Sequence, residues 1–206
     1  MINVSIAGIG GQGSVRAARI LAQAAEAKGW QVRSAETIGM AQRGGDVMSH
    51  VRMGNAGEEV FSPLPAKGTV DVLIALEPGE AARALPYLKE NGLLVVASTG
   101  IPPVNFKRQT YDPQHLIDDM QAAGVKMVVV DDAELVHRLG EPKALNVMML
   151  AYAIIAVNKR EDCMDNALRG AITLEDIEAA IPLCVKRKLV SVNEKAIKVV
   201  QQVARV

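Results

Sequence analysis

Aromatic side chains are scarce: the 206 residues include two Phe, one Trp and three Tyr. A core built without them has to come from Val, Ile, Leu, Ala and Met, a composition that suits parallel strands covered by helices. The same scarcity removes the stacking platforms that single-stranded nucleic acid needs. An excess of charge of one sign is missing too. Lys plus Arg and Asp plus Glu number 23 each, and no run of like charge breaks the even spread, so the basic footprint of a nucleic-acid binder is absent. Cysteine is limited to Cys163 and Cys184, too far apart for a C-x-x-C chelate and too few for a disulfide scaffold or an iron–sulfur cluster. His50, His115 and His137 are scattered, and none has metal-ligand spacing with another His, Cys or carboxylate, so no protein-bound metal is expected. No basic leader precedes INVSIAG at 2–8, and the longest apolar run, VMMLAYAIIAV at 147–157, is too short to cross a bilayer. These absences predict a soluble, cytoplasmic chain with neither membrane nor nucleic acid as partner.

What is present is α/β alternation. The length suits one domain spanning 1–206, and no repeat, linker or low-complexity tract divides it. Residues 2–7 read as a buried strand, followed by a glycine turn and an Ala-rich helix over about 14–28. Gly29 ends that helix, and WQVRSAE at 30–36 makes a second strand, the interval of a parallel βαβ unit. DVMSHVRM and EEVF, joined by GNAG, predict an antiparallel hairpin over 46–62 closed by Pro63 and Pro65. Strand signals return at 70–76, 92–98 and 125–131, with helical patterns near 78–90 and 113–123 between them. The rest is helical: AELVHRL, an all-round apolar helix over about 142–157, and two helices opened by TLED at 173–176 and SVNE at 191–194. The expected fold is a three-layer α/β domain with a mostly parallel mixed sheet, an antiparallel hairpin and a helical C-terminal third.

Two glycine segments concentrate the unusual choices. GIGGQG at 8–13 matches G-x-G-x-x-G at a strand-to-helix turn, where positive φ and a helix amino terminus offer N–H groups to a pyrophosphate or carboxylate. With Glu36 as a ribose-binding acid at the end of the second strand, it supports one reading, a stand-alone NAD(P)-dependent Rossmann-like dehydrogenase. Against that reading stand the side-chain amide of Gln12, projecting where a diphosphate would lie, and the hairpin in place of the expected helix. No acid–base pair presents itself in the later strands either. The second segment, GMAQRGGD at 39–46, presents Gln42 and Arg43 beside Gly44 and Gly45. On the strand that follows, alternation places His50 and Arg52 on one face, able to bind an anion or to pair with a partner subunit. No third group orients His50 as a base, so no residue is read as catalytic.

The order GIGGQG, ETIGMAQRGGDVMSHVR, SPLPAKGTVDVLIALEPGEAAR and LGEPKALNVMMLA resembles the gamma-type subunit of 2-oxoacid:ferredoxin oxidoreductases, including the small beta subunit of the indolepyruvate enzymes, over nearly the whole chain. The resemblance implies a subunit of a complex that oxidatively decarboxylates a 2-oxoacid to an acyl-CoA while reducing ferredoxin. It implies that thiamine diphosphate and [4Fe-4S] clusters sit on a large partner subunit, that this chain holds neither, and that it supports assembly and active-site closure, with a contact to coenzyme A. By the same resemblance Gly10, Gly11, Gln12 and Gly13 match the family's glycine turn. Gln42, Arg43, Gly44 and Gly45 match its second signature, both facing the partner's active site, and Asn146 matches the Asn that opens its buried helix.

Overall fold

The computed structural model describes residues 1–39, 44–55, 57–102 and 111–204. Gln42 and Arg43 lie outside the described residues. The first strand, β1 (Ile2–Ile9), is buried on both faces and leads through the glycine turn into α1 (Ser14–Ala27). Then come β2 (Gln31–Ile38), β3 (Asp46–Gly54), β4 (Val70–Ala75), α2 (Pro78–Ala84), β5 (Leu88–Ala97), α3 (Pro113–Ala122) and β6 (Met127–Val130). The chain finishes with α4 (Asp132–Leu139), α5 (Leu145–Lys159), α6 (Leu174–Cys184) and α7 (Arg187–Val203).

The six strands form one sheet in the order β2-β3-β1-β4-β5-β6. β1, β4, β5 and β6 are parallel, and β3 runs antiparallel to both its neighbours, β1 and β2. The sheet is therefore mixed and mostly parallel, as the sequence indicates. Ile6, Val51, Ile74 and Val95 face the layer that contains α1 and α5, while Ala7, Leu73, Leu94 and Val96 face α2 and α3. Burial on both sides explains why VLIA at 72–75 and LLVVA at 93–97 read as unbroken apolar runs rather than as alternation. α5 is buried from Asn146 to Val157, so a helix apolar all round is a helix with neighbours all round. α6 packs on α1, and α7 on α5.

Two expectations are corrected. The hairpin is not 46–62 but β2–β3, in unbroken register from Gln31↔Gly54 to Ile38↔Val47. Gly57 does make a turn, with positive φ and a Glu58 N–H to Asn55 carbonyl bond of 3.1 Å. β3 is already paired along both sides, however, so EEVF finds no free edge. That segment is instead held by side chains of β2: Gln31 accepts from the Val60 N–H, and Arg33 donates to the Val60 carbonyl. The second correction concerns SVNE, which lies inside α7 rather than at its start. The apolar stripe through Ala196, Ile197 and Val200 reaches back past it, and Asn193 bonds the Leu189 carbonyl one turn earlier instead of capping. TLED does open α6, with both bonds of the box: Asp176 N–H to Thr173 Oγ1 at 3.3 Å and Thr173 N–H to Asp176 Oδ2 at 2.9 Å.

Candidate functional site

The carboxyl end of β1 adjoins that of β4, which is where connections leave the sheet in opposite directions and where open α/β sheets leave a crevice. The glycine turn sits there. Gly11 has φ of +106° and open space around it. Gly13, at +88°, is the N-cap of α1, and a β-carbon on it would collide with the Asn146 amide. Asn146 is 1% exposed; its Nδ2 donates to the Gly13 carbonyl at 2.8 Å and its Oδ1 accepts from the Val147 N–H at 2.9 Å. The buried helix α5 thus fixes the turn from behind.

Gln12 does not project outward from the turn. Its Oε1 accepts from the Ile9 N–H at 2.6 Å, and its Nε2 donates to the Leu76 carbonyl at 2.8 Å. The side chain folds back and joins the ends of β1 and β4 across the crevice, because a strand end leaves one donor and one acceptor that a single primary amide can satisfy.

The second glycine segment touches the first. The Gly10 N–H donates to the Gly45 carbonyl at 2.8 Å. This contact follows from the β2–β3 hairpin, whose return brings residues 44 and 45 to the carboxyl end of β1. Gly44 and Gly45 then border an open cleft of about 560 Å³ together with Asp46, Glu77, Glu80 and Arg83.

The most developed polar cluster of this cleft belongs to residues that the sequence reading left without a role. Glu77 is 2% exposed. It caps α2 by accepting from the Glu80 N–H at 2.9 Å, and it also accepts from the Ile101 N–H at 3.3 Å and the Tyr111 hydroxyl. Burial first, and then the bond to Glu77, push the Tyr111 pKa upward and keep that hydroxyl protonated as a donor. Burial likewise raises the Glu80 pKa against the opposing pull of Arg83, which stands 3.4 Å away. The signal for this cluster was visible in LEPGEAAR, where an acidic residue precedes a Pro at the first position of a helix directly after a buried strand. Its tie to Tyr111 joins residues 34 positions apart, which no local pattern announces.

His50 and Arg52 do share a face, yet their contacts diverge. His50 is 2% exposed, with Nδ1 2.8 Å from Ser5 Oγ and its ring tilted against Tyr87 at 5.6 Å. Burial lowers its pKa and favours the neutral ring. Arg52 is occupied by Asn3 Oδ1 at 3.0 Å and by the Ser62 carbonyl at 2.8 Å, so its guanidinium secures the segment that follows β3. Glu36 pairs with Ser49 on β3, and Ser49 with Ile6 on β1. Two strand spacings, about 9–10 Å, therefore separate Glu36 from the glycine strand, where a dinucleotide site has adjacent strands.

Among the described residues no group of three or more His, Cys, Asp or Glu side chains could hold a metal ion, and no helix is long and apolar enough to cross a membrane. Cys163 is buried and Cys184 lies on α6 against the Arg19 carbonyl. Burial raises both thiol pKa values, which disfavours the thiolates that an iron–sulfur cluster requires. The donor set does not fit such a cluster.

Comparison with known proteins agrees with this architecture. The chain is 32% identical over 200 residues to the indolepyruvate oxidoreductase subunit IorB of Archaeoglobus fulgidus, covering 96% of this chain and 92% of that protein. Its fold matches the gamma subunit of a keto/oxoacid ferredoxin oxidoreductase from Geobacter sulfurreducens, with a TM-score of 0.66, 21% identity, and coverage of 98% of this chain and 97% of that one. It also matches part of the 2-oxoglutarate:ferredoxin oxidoreductase of Magnetococcus marinus, with a TM-score of 0.67, 16% identity, and coverage of 98% of this chain and 31% of that chain. The model of the pyruvate ferredoxin/flavodoxin oxidoreductase family covers residues 3–205, and with a glycine turn braced from behind and a second glycine segment laid against it, the chain belongs to that family.

Proposed function

We propose that this chain, as a single gamma-type domain over 1–206, is the small subunit of an oxidoreductase that acts on indolepyruvate or another arylpyruvate. The complex decarboxylates the 2-oxoacid oxidatively to an acyl-CoA and passes the electrons to ferredoxin. The chain alone is inactive. Thiamine diphosphate and [4Fe-4S] clusters belong to a large partner subunit; this chain supplies assembly and closure of the active site. The observation that carries the reading is the Gly10–Gly45 contact beside the cleft, in a chain 32% identical to an indolepyruvate oxidoreductase subunit over 92% of that subunit's length.

Within this reading the surface formed by Gly10, Gly11, Gly13, Gly44 and Gly45 faces the partner, and Gln12 and Asn146 hold that surface in shape. The same reading assigns Gln42 and Arg43, which lie outside the described residues, a part in recognising the partner, while His50 and Arg52 support the adjoining strand from below. α1 has neither a side-chain cap nor an acidic residue in its first turn, so its N–H groups suit a coenzyme A diphosphate.

Anaerobic co-expression with a large thiamine- and iron–sulfur-binding subunit from the same genome tests the proposal. A brown, stoichiometric complex that oxidises an arylpyruvate with coenzyme A and ferredoxin is expected, with Arg43→Ala lowering turnover and leaving the melting of the chain unchanged. No complex with any such subunit, or micromolar binding of NADH or NADPH by the chain alone, would overturn it and restore the dehydrogenase reading.

A further inference from the structure

The sheet has two open edges, β2 and β6, and the chemistry of the β2 edge is unusual. β2 is eight residues long and pairs with β3 alone, in register from end to end. Protein monomers blunt such an edge with Pro, Lys, a bulge or a short strand, since a free row of N–H and C=O groups templates pairing with another chain. QVRSAETI contains neither Pro nor Lys, its two exposed charges, Arg33 and Glu36, are of opposite sign and leave no net like charge along the edge, and its pairing has no register shift. Ile38 is 66% exposed. The segment that carries Val60 is held by the side chains of Gln31 and Arg33, not by a backbone ladder with β2.

We infer that this edge is an interface between two copies of the chain, formed by antiparallel pairing of β2 with β2 about a two-fold axis at Ala35. Residues opposed across an antiparallel pair lie on the same face, so only a few registers exist. Centring on Ala35 sets Val32 against Ile38, Arg33 against Thr37 and Ser34 against Glu36, each twice. The exposed Ile38 then meets an apolar partner, and no like charges oppose. Centring on Glu36 opposes two carboxylates, centring on Arg33 opposes two guanidiniums, and centring on Ser34 sets Glu36 against Val32; each is disfavoured.

A second observation selects the same axis. Beside this edge, α1 and β2 enclose a groove of about 410 Å³ lined by Val15, Arg19, Gln23, Glu26, Ser34 and Glu36. A two-fold axis at Ala35, perpendicular to the sheet, brings the outer stripes of the two α1 helices together antiparallel. The stripe reads Arg19, Ala22, Gln23, Glu26, so its reversal about the Ala22–Gln23 step places each Arg19 opposite the other copy's Glu26. Exposed ion pairs of this kind add little affinity, but they fix orientation. The strand register and the helix charges thus call for one arrangement, in which two six-stranded sheets become one continuous sheet.

The full-length chain tests this by cysteine cross-linking in a Cys184→Ser background. Opposed Cα atoms in an antiparallel pair lie about 4.5–5.5 Å apart, within disulfide range. Ala35→Cys, on the axis, is expected to cross-link to its own copy on mild oxidation. Ser34→Cys, which faces Glu36, is expected not to. Sedimentation should give twice the chain mass; Arg19→Glu should shift it toward the monomer, and Arg19→Glu with Glu26→Arg should restore it. A monomer at all micromolar concentrations, or equal cross-linking of the two cysteine variants, would refute the interface. So would β2 amides that gain protection from hydrogen exchange only when the large subunit is added, since the edge would then belong to that subunit.

Discussion

The brace between Asn146 and the glycine turn can be measured by comparing Gly→Ala substitutions at two positions of that turn, Gly11 and Gly13. At Gly11, φ is +106° and an added β-carbon meets nothing, so Gly11→Ala should cost only backbone strain, of order 1–3 kcal/mol. At Gly13, φ is +88°, and the added carbon would strike the Asn146 amide. Displacing that amide breaks its bond to the Gly13 carbonyl and strands a side chain that is 1% exposed, which adds about 1–3 kcal/mol. Gly13→Ala should therefore cost about 2–6 kcal/mol, a large share of a stability that is typically about 5–15 kcal/mol. Urea unfolding followed by far-UV circular dichroism gives each value from the midpoint and slope. The discriminating experiment is the double variant with Asn146→Ala. If the collision is the cause, Gly13→Ala should fall to the cost of Gly11→Ala in that background, giving a coupling of about 1–3 kcal/mol. Equal costs at the two glycines in the natural background, or no coupling in the double variant, would refute the reasoning.

Burial lowers the His50 pKa from 6.5, so the unfolded chain takes up protons that the folded chain resists. The His50 contribution is whole above the unfolded pKa and is lost as pH falls through it. His50→Gln should flatten the acid side of a urea-midpoint curve measured between pH 7.5 and 5, and an unchanged slope would show that His50 is not the titrating group. Gln12→Ala removes both side-chain bonds by which Gln12 links Ile9 to Leu76; about 2 kcal/mol of stability should be lost at about 1 kcal/mol per bond, together with affinity for the large subunit, and melting indistinguishable from the natural chain would contradict the bridge. Thr173→Ala removes one half of the α6 box and should cost about 1 kcal/mol, read as a drop of about 2–4 °C in melting temperature for a chain of this size.

Strands buried on both faces and the helix buried all round were legible in the sequence, because long apolar runs leave few alternatives. The glycine turn, the box at Thr173 and the class of fold were legible for the same reason: each rests on contacts between near neighbours. The partner of β3 was not. GNAG is a sound turn signal and Gly57 does turn, but which strand pairs with DVMSHVRM depends on whether its edges are already taken, and they are taken by β2 on one side and, on the other, by β1, whose pairs reach from Ile9↔Asp46 to Ile2↔Met53. Gln12 was misplaced for a related reason, since its acceptor at Leu76 belongs to a strand that only the fold brings alongside. Glu77 was visible as a cap, whereas its bond to Tyr111 was not.

β3 is held along both margins, to β1 from Ile2↔Met53 to Ile9↔Asp46 and to β2 over the same length. Its residue count is thereby locked. One amino acid gained or lost within 47–53 would turn Val51 and Met53 out of the layer beneath α1, drive His50 into it, and unhook Gly45 from Gly10 in the same stroke. Length variation among related chains is expected to fall outside 46–54, and an engineered insertion at position 50 should abolish folding where one beside Gly57 is accepted.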